Sequence, residues 1–348
     1  MKSKSFLLIL IVLVTLLVAL YFNNPTHSQV ENWPDYLGGP DRNHYSTLTQ
    51  IDSSNLERLA SAWEYHTGDS GQMQCNPLIV DGRLYAVTAT GEPFALDAAT
   101  GKEIWRIPNS NKNNVIMRGV SYWEDGSDQR ILYTRESWLY AVEALTGKPV
   151  MTFGDSGRAS LKAGLGDTSE KKYVASRTPG AIFKDLIIMP LSLSEGSDAA
   201  PGYIQAFNVR TGELTWIFRT IPAPGEFGYD TWPVDAHKNI NVGAANSWAG
   251  MAVDVERGIV FAPTGSAGFD FYGGQRKGSN LFANSLLALN ARNGERIWHF
   301  QFVHHDILDR DLPAPPNLIT VTHDGVKIDV VAQVTKQGYV YLFNRETG

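Results

Sequence analysis

Cysteine is almost absent from this chain: Cys75 is the only one in 348 residues. One thiol cannot build an internal disulfide framework or a cysteine-based zinc site, and with no Cys-x-x-Cys-His segment the chain attaches no c-type haem. Basic charge is also scarce, with 30 Lys and Arg against 36 Asp and Glu and a formal net charge of −6. Such a balance gives no electrostatic claim on nucleic acid. From Trp33 onward no long stretch carries the 3.6-residue apolar period of an amphipathic helix. Charged residues make up only 19%, but 43% are hydrophobic, which supports a buried core and excludes a disordered chain. Length by itself allows about two domains or one large all-β domain.

One long hydrophobic run stands apart. Phe6 to Phe22 is a 17-residue stretch broken only by Thr15, with Lys2 and Lys4 ahead of it. Helical rise makes this near the short limit for spanning a bilayer. The basic flank orients the N-terminus to the cytoplasm and the body to the far side. Thr26-His27-Ser28 is a poor small-x-small cleavage site, so an uncleaved transmembrane helix is the expectation and a cleaved signal peptide the alternative. Residues 1–30 are set aside as anchor or signal, and 31–348 form the folded body.

The body reads as β-meander. Short alternating or apolar runs at residues 77–80, 83–88, 131–133, 186–189, 258–262 and 330–334 lie among Asp81-Gly82, Asp125-Gly126 and Asp324-Gly325 turns. A self-similar pattern then sets the class. Asp97-x-x-Thr100-Gly101-x-x-x-Trp105 recurs as Asn208-x-x-Thr211-Gly212-x-x-x-Trp216 and Asn290-x-x-Asn293-Gly294-x-x-x-Trp298. A degenerate copy, Glu143-x-x-Thr146-Gly147, carries Met151 at the Trp position, and a fifth begins at Asn344 and reaches Thr347-Gly348. An Asp or Asn that bonds its own backbone and a glycine in the left-handed region make a tight turn. The Trp of the next strand offers a flat face for docking on a neighbour. The glycines are spaced by 46, 65, 82 and 54 residues, against about 40–50 for one four-stranded blade, so the longer intervals carry inserted loops. The expected fold is all-β: a β-propeller of about five blades.

These turn-and-Trp repeats resemble the tryptophan-docking repeats of the pyrroloquinoline quinone (PQQ)-dependent dehydrogenases, whose propellers have eight blades. The resemblance runs from Trp33 to Gly348. It is strongest in Pro224–Trp232, Asn246-Ser-Trp-Ala-Gly250 and Val303-His-His-Asp-Ile-Leu-Asp-Arg-Asp-Leu-Pro-Ala-Pro-Pro316, the last most similar to the membrane-bound, glucose-dehydrogenase-like branch. Against eight blades, five mark the chain as the N-terminal part of such a protein, with an incomplete ring.

The resemblance implies roles for particular residues. Asp309 matches the catalytic aspartate, a general base for the substrate hydroxyl and a contact of the metal. Lys336 matches the basic residue at the quinone oxygens, where a cation stabilises developing negative charge. Trp248 matches the indole beneath PQQ and falls outside the repeat frame. Glu195 stands at the calcium-binding glutamate, and Ser192 at a cofactor-contacting serine. Ser266 stands where the calcium-type enzymes place an asparagine ligand, a departure from the pattern. Arg118 matches a cofactor-carboxylate arginine, Gln74 occupies the place of a glutamate, and Arg177 replaces a small hydroxyl residue. Asp311, two residues after Asp309, matches a ligand of the lanthanide enzymes and would share a face with Asp309 if the backbone were extended. His304 and His305 read as orienting groups, and the Gly273–Gly278 segment as a plain loop that lacks the ending of a phosphate-binding loop. The vicinal disulfide of many alcohol dehydrogenases is replaced by Lys112-Asn113.

The implied protein is an exported dehydrogenase on the periplasmic side of a bacterial inner membrane. It would use PQQ and a divalent cation to oxidise a sugar, polyol or alcohol, passing electrons to membrane quinone or a separate cytochrome. Calcium is the expected ion, with magnesium or a lanthanide as alternatives. A non-catalytic propeller scaffold of the outer-membrane assembly type accounts for the repeats equally but not for the site residues. An inactive truncated quinoprotein accounts for both.

Overall fold

The computed structural model describes residues 31–111 and 113–348; the hydrophobic run at residues 6–22 and the Thr26-His27-Ser28 segment lie outside the described residues. From Trp33 to Gly348 the chain forms one compact unit. Its framework is five antiparallel meander sheets met in chain order. The first comprises Leu78–Val80, Arg83–Val87, Pro93–Asp97 and Glu103–Arg106. The second comprises Ser121–Asp125, Asp128–Arg135, Trp138–Glu143 and Arg158–Ser160. Ala181–Phe183, Leu186–Met189, Ile204–Asn208 and Leu214–Phe218 form the third. Ala252–Asp254, Ile259–Pro263, Ser285–Asn290 and Arg296–Gln301 form the fourth, and Asn317–His323, Val326–Val334 and Val340–Asn344 the fifth.

Strand periodicity makes these sheets stack face to face. Successive side chains point to opposite faces, so each sheet can bury both. In the third sheet Ile187 and Met189 join Leu132 and Leu139 of the second, while the intervening Ile188 joins Val260 and Leu287 of the fourth. The fourth repeats the device: Ile259 and Phe261 pack with Leu318 and Val331 of the fifth. Tyr85 and Trp105 of the first sheet meet Ile131 and Tyr133 of the second in the same way. Cores therefore lie between sheets, as in a propeller, rather than beneath a single one.

The repeated turns lock neighbouring sheets. Asp97 Oδ1 accepts from the Thr100 amide (2.9 Å) and hydroxyl (2.7 Å), and Asn208 and Asn344 accept the corresponding Thr amides at 3.1 Å each. Gly101, Gly147, Gly212, Gly294 and Gly348 all have φ between 69° and 74°. Trp105 Nε1 donates to the Ala144 carbonyl (2.8 Å), Trp216 to Ala291 (3.2 Å) and Trp298 to Arg345 (2.9 Å), each three residues before a turn glycine. The rings lie on Gly147, Gly294 and Gly348, where any Cβ would collide with them. A docked indole that buries about 150–250 Å² contributes up to about 4–6 kcal/mol. Trp63 makes the same contact with Ala98 and Gly101 without a preceding turn motif. The degenerate copy uses no ring: Met151 is exposed, and the Gly154 amide donates to Thr211 O (2.7 Å) instead.

A strap at residues 33–42 ties distant sheets together. Trp33 pairs with Ile79 of the first sheet. The Val253 amide of the fourth sheet donates to Pro40 O (2.8 Å), and Leu318 of the fifth to Asp41 O (2.9 Å). The buried Arg42 guanidinium fixes the strap through Asp35 Oδ1 (2.7 Å), Tyr36 O (2.6 Å) and Met251 O (2.8 Å).

In such a meander the connections from second to third strand and from one sheet to the next lie at one end. The Thr-Gly turns, which join third to fourth strands, lie at the other. Docking and loop chemistry are thus assigned to opposite ends of the same sheets.

Candidate active site

The loop end holds a cavity of about 470 Å³ lined by Arg118, Arg177, Ser192, Glu195, Trp248, Ser266, Asp270, Asp309, Asp311 and Lys336, among others. Arg118 and Arg177 come from the connections that precede the second and third sheets, Trp248 and the two aspartates of residues 309–311 from those that precede the fourth and fifth. Ser192, Glu195, Ser266, Asp270 and Lys336 follow the second strands of the third, fourth and fifth sheets. Residues separated by more than 200 positions in sequence are thereby brought to one wall. Gln74 does not line this cavity, and neither histidine of His304-His305 does.

Lys336, Asp309 and Asp311 form the polar centre. Lys336 Nζ lies 3.0 Å from Asp309 Oδ2 and 3.5 Å from Asp311 Oδ2, and donates to the Asp309 carbonyl at 2.9 Å. Burial works against the lysine charge, but the two carboxylates outweigh it and its pKa is raised. Burial pushes the Asp309 carboxyl above the usual carboxylate range, with Lys336 opposing and Asp311 adding to the shift. Asp311 joins the indole wall to the acid pair: Oδ1 accepts from the Ser266 amide (2.6 Å) and Oδ2 from Trp248 Nε1 (3.0 Å). Trp248 is held from its other side by Thr178, whose hydroxyl donates to the Trp248 carbonyl (2.8 Å) and accepts from Arg118 (3.3 Å). The Arg118 guanidinium sits 5.6 Å from the indole centroid, within cation–π range.

The backbone between residues 306 and 311 is not extended. Asp309 has φ 53°, because Asp306 gathers the segment into a turn. Asp306 Oδ1 accepts from the Leu308 amide (3.1 Å) and Oδ2 from the Arg310 amide (2.6 Å), the Ser266 hydroxyl and Asn284 Nδ2 (3.1 Å). Burial alone would raise the Asp306 carboxyl, but these donors hold it below its ordinary value. Asp309 and Asp311 share Lys336 through this turn rather than through strand alternation. Ser266, the position of the expected metal ligand, has its hydroxyl spent on Asp306.

Asp270 carried no motif in the sequence, and Asp306 stood inside the Val303–Pro316 stretch without a role of its own. Asp270 is 5% exposed, and its carboxyl is held up at about 7 by burial first and then by Asp311, Asp309 and Glu195. Arg276, inside the segment read as a plain loop, is 1% exposed and reaches Asn280 Oδ1 (2.9 Å), Phe269 O (3.1 Å) and Asp306 O (2.5 Å). No single-residue signal marks either role; both arise from burial.

The donor set suits the implied groups. An indole face with Arg118, Arg177 and Lys336 around it matches a flat, carboxylate-bearing quinone. Glu195, Asp270, Asp309 and Asp311 supply the hard oxygens that calcium prefers. Among the described residues no three such side chains are drawn into a closed ligand group.

Comparison with known proteins agrees with this reading of the fold. The family model for the β-propeller domain of PQQ glucose, ethanol and alcohol dehydrogenases matches residues 33–348. A quinoprotein glucose dehydrogenase of Escherichia coli (strain K12) is 34% identical over 346 residues, 91% of this chain and 43% of that protein. The glycerol dehydrogenase large subunit of Gluconobacter oxydans (strain 621H) is 29% identical over 342 residues, 91% of this chain and 45% of that protein. The structure of quinohemoprotein alcohol dehydrogenase ADHIIG from Pseudomonas putida HK5 superposes with a TM-score of 0.79 at 25% identity, covering 91% of this chain and 47% of that one. The chain therefore spans less than half the length of these three relatives.

Proposed function

Because the chain belongs to the PQQ-dependent glucose, ethanol and alcohol dehydrogenase β-propeller family, we propose that it forms the cofactor-binding part of an enzyme that oxidises a hydroxyl of a sugar, polyol or alcohol to a carbonyl. The observation that carries this reading is the interlocked set at one cavity wall: Lys336 on Asp309 and Asp311, and Asp311 on Trp248 and Ser266. Trp248 offers the apolar face for PQQ, with Arg118, Arg177 and Ser192 as polar contacts at its edges. PQQ, when bound, supplies the two-electron acceptor for the hydride of the carbinol carbon, and the divalent cation supplies Lewis acidity.

The chain's own residues handle the proton and the charge. The Asp309 carboxylate accepts the substrate hydroxyl proton, a task favoured by the upward shift that burial and Asp311 give its carboxyl. Lys336 steadies Asp309 before transfer through its bonds to the Asp309 carbonyl and carboxylate, and its cation offsets negative charge that develops in the cavity. Asp306 sets the loop so that Asp309 and Asp311 both face the cavity. The basic-flanked run at residues 6–22 supports export and anchoring, with electrons passing on to membrane quinone or a separate cytochrome.

Reconstitution tests the reading. With PQQ and Ca²⁺ added, tryptophan fluorescence is quenched saturably in the wild type and much less in Trp248→Ala. Dye reduction follows with at least one of glucose, glycerol or ethanol. Absence of saturable quenching removes the cofactor assignment and returns the chain to a binding scaffold.

A further inference from the structure

Asp270 is a buried carboxylate without a donor. It is 5% exposed, it lines the cavity, and no hydrogen bond or ion pair reaches its carboxylate among the described residues. The largest charges that act on it are Asp311, Asp309 and Glu195, which disfavour its ionised form, against Arg276 of opposite sign. Arg276 directs its amino groups to Asn280, Phe269 and Asp306. Folding therefore sets a carboxylate among three others in a site with no side-chain donor for it, an arrangement that costs free energy unless a cation offsets it.

The oxygens of Ser266 and Asp311 are already engaged. The Ser266 hydroxyl donates to Asp306 and accepts from Asn284 (3.1 Å). Both Asp311 oxygens accept, one from the Ser266 amide and one from Trp248 and Lys336. Asp270, like Glu195 in the same cavity, presents two uncommitted carboxylate oxygens, and its amide donates to the Glu195 carbonyl (3.2 Å), which ties it to the loop of the expected glutamate ligand. We propose that Asp270 is a direct oxygen ligand of the divalent cation, alongside Glu195 and Asp309. This rests on the cofactor-site reading above, and it makes the cation site of this chain more strongly anionic than one with a neutral ligand at Ser266.

Tryptophan-sensitised Tb³⁺ emission and Ca²⁺-dependent melting of the purified chain, both without PQQ, test this. The wild type binds Tb³⁺ saturably and gains thermal stability with Ca²⁺. Asp270→Asn binds Tb³⁺ about 10-fold more weakly or worse, loses the Ca²⁺-dependent gain, and melts at or above the wild-type temperature when cation-free because the repulsion is gone. Asp270→Glu keeps the charge and most of the binding. An Asp270→Asn protein with unchanged Tb³⁺ affinity, or one that melts below the wild type when cation-free, overturns the proposal, as does a wild type with no saturable Tb³⁺ binding. A parallel PQQ titration separates the two readings: Asp270-dependent Tb³⁺ binding without PQQ quenching supports the cation ligand and removes the quinone.

Discussion

Asp306→Asn removes one charge from a carboxylate that organises the loop bearing Asp309, and its cost can be worked from the bonds. Oδ2 accepts from the Arg310 amide, the Ser266 hydroxyl and Asn284; Oδ1 accepts only from the Leu308 amide. The amide's better orientation keeps its oxygen toward the three donors and turns its NH₂ toward the Leu308 N–H. One bond is then lost with a donor facing a donor, and three lose their charge assistance. Bonds to charged groups contribute about 1.5–3 kcal/mol each, so the net cost is about 2–4 kcal/mol after non-additivity. That corresponds to a fall in Tm of several degrees. Because Asp309 rides on this turn at φ 53°, turnover suffers more than stability: a displacement of about 1 Å lowers kcat about 100-fold. Urea unfolding and dye reduction at saturating substrate provide the two measurements, with PQQ quenching expected to persist. Unchanged Tm together with unchanged kcat would refute the reasoning.

Three further outcomes follow from the packing. In Gly147→Ala a Cβ would lie 2.8 Å from Trp105 Cδ2 at φ 69°, a loss of about 2–4 kcal/mol. Gly325→Ala, at φ 78° with nothing within 4 Å, costs only the left-handed penalty of about 1–2 kcal/mol, so the difference in unfolding free energy measures the docking contact. His299 packs edge-on against Phe227 and Phe282, and burial followed by Arg296 holds its pKa down at about 4 against 6.5. Its neutral form is the folded one, so its contribution is intact above pH 6.5 and is lost at about 1.4 kcal/mol per pH unit as pH falls toward 4. Urea midpoints at pH 7 and 5 show this slope, and His299→Gln flattens it. Met151→Trp brings no gain in Tm, since Gly212 is already covered by the Gly154 backbone.

The architecture was legible wherever local chemistry repeats. An Asn or Asp, a glycine and a Trp at fixed offset mark both a turn and its docking partner, and the structure docks the Trp of all three full repeats on the next turn. Trp63 escaped because it docks without a turn of its own, and the residue 33–42 strap because Arg42 joins local acceptors to one distant carbonyl, that of Met251. At the cavity, Asp309, Asp311, Lys336, Trp248, Ser192, Glu195 and Arg118 were named in advance, since each sits in a distinctive stretch. Gln74 was expected with them and does not line the cavity. Asp270 and Asp306 are ordinary acids in sequence; one becomes exceptional through isolation from donors and the other through an abundance of them. The extended reading of residues 309–311 failed for the same reason, because Asp306 bends the loop.

The proton acceptor is the centre of the proposed chemistry, and Asp309→Asn examines it most directly in a paired measurement of PQQ quenching and dye reduction on one sample with Ca²⁺. The expected result is saturable quenching like that of the wild type with turnover about 100-fold or more lower. Quenching retained with turnover unchanged would contradict the assignment of Asp309 as the base.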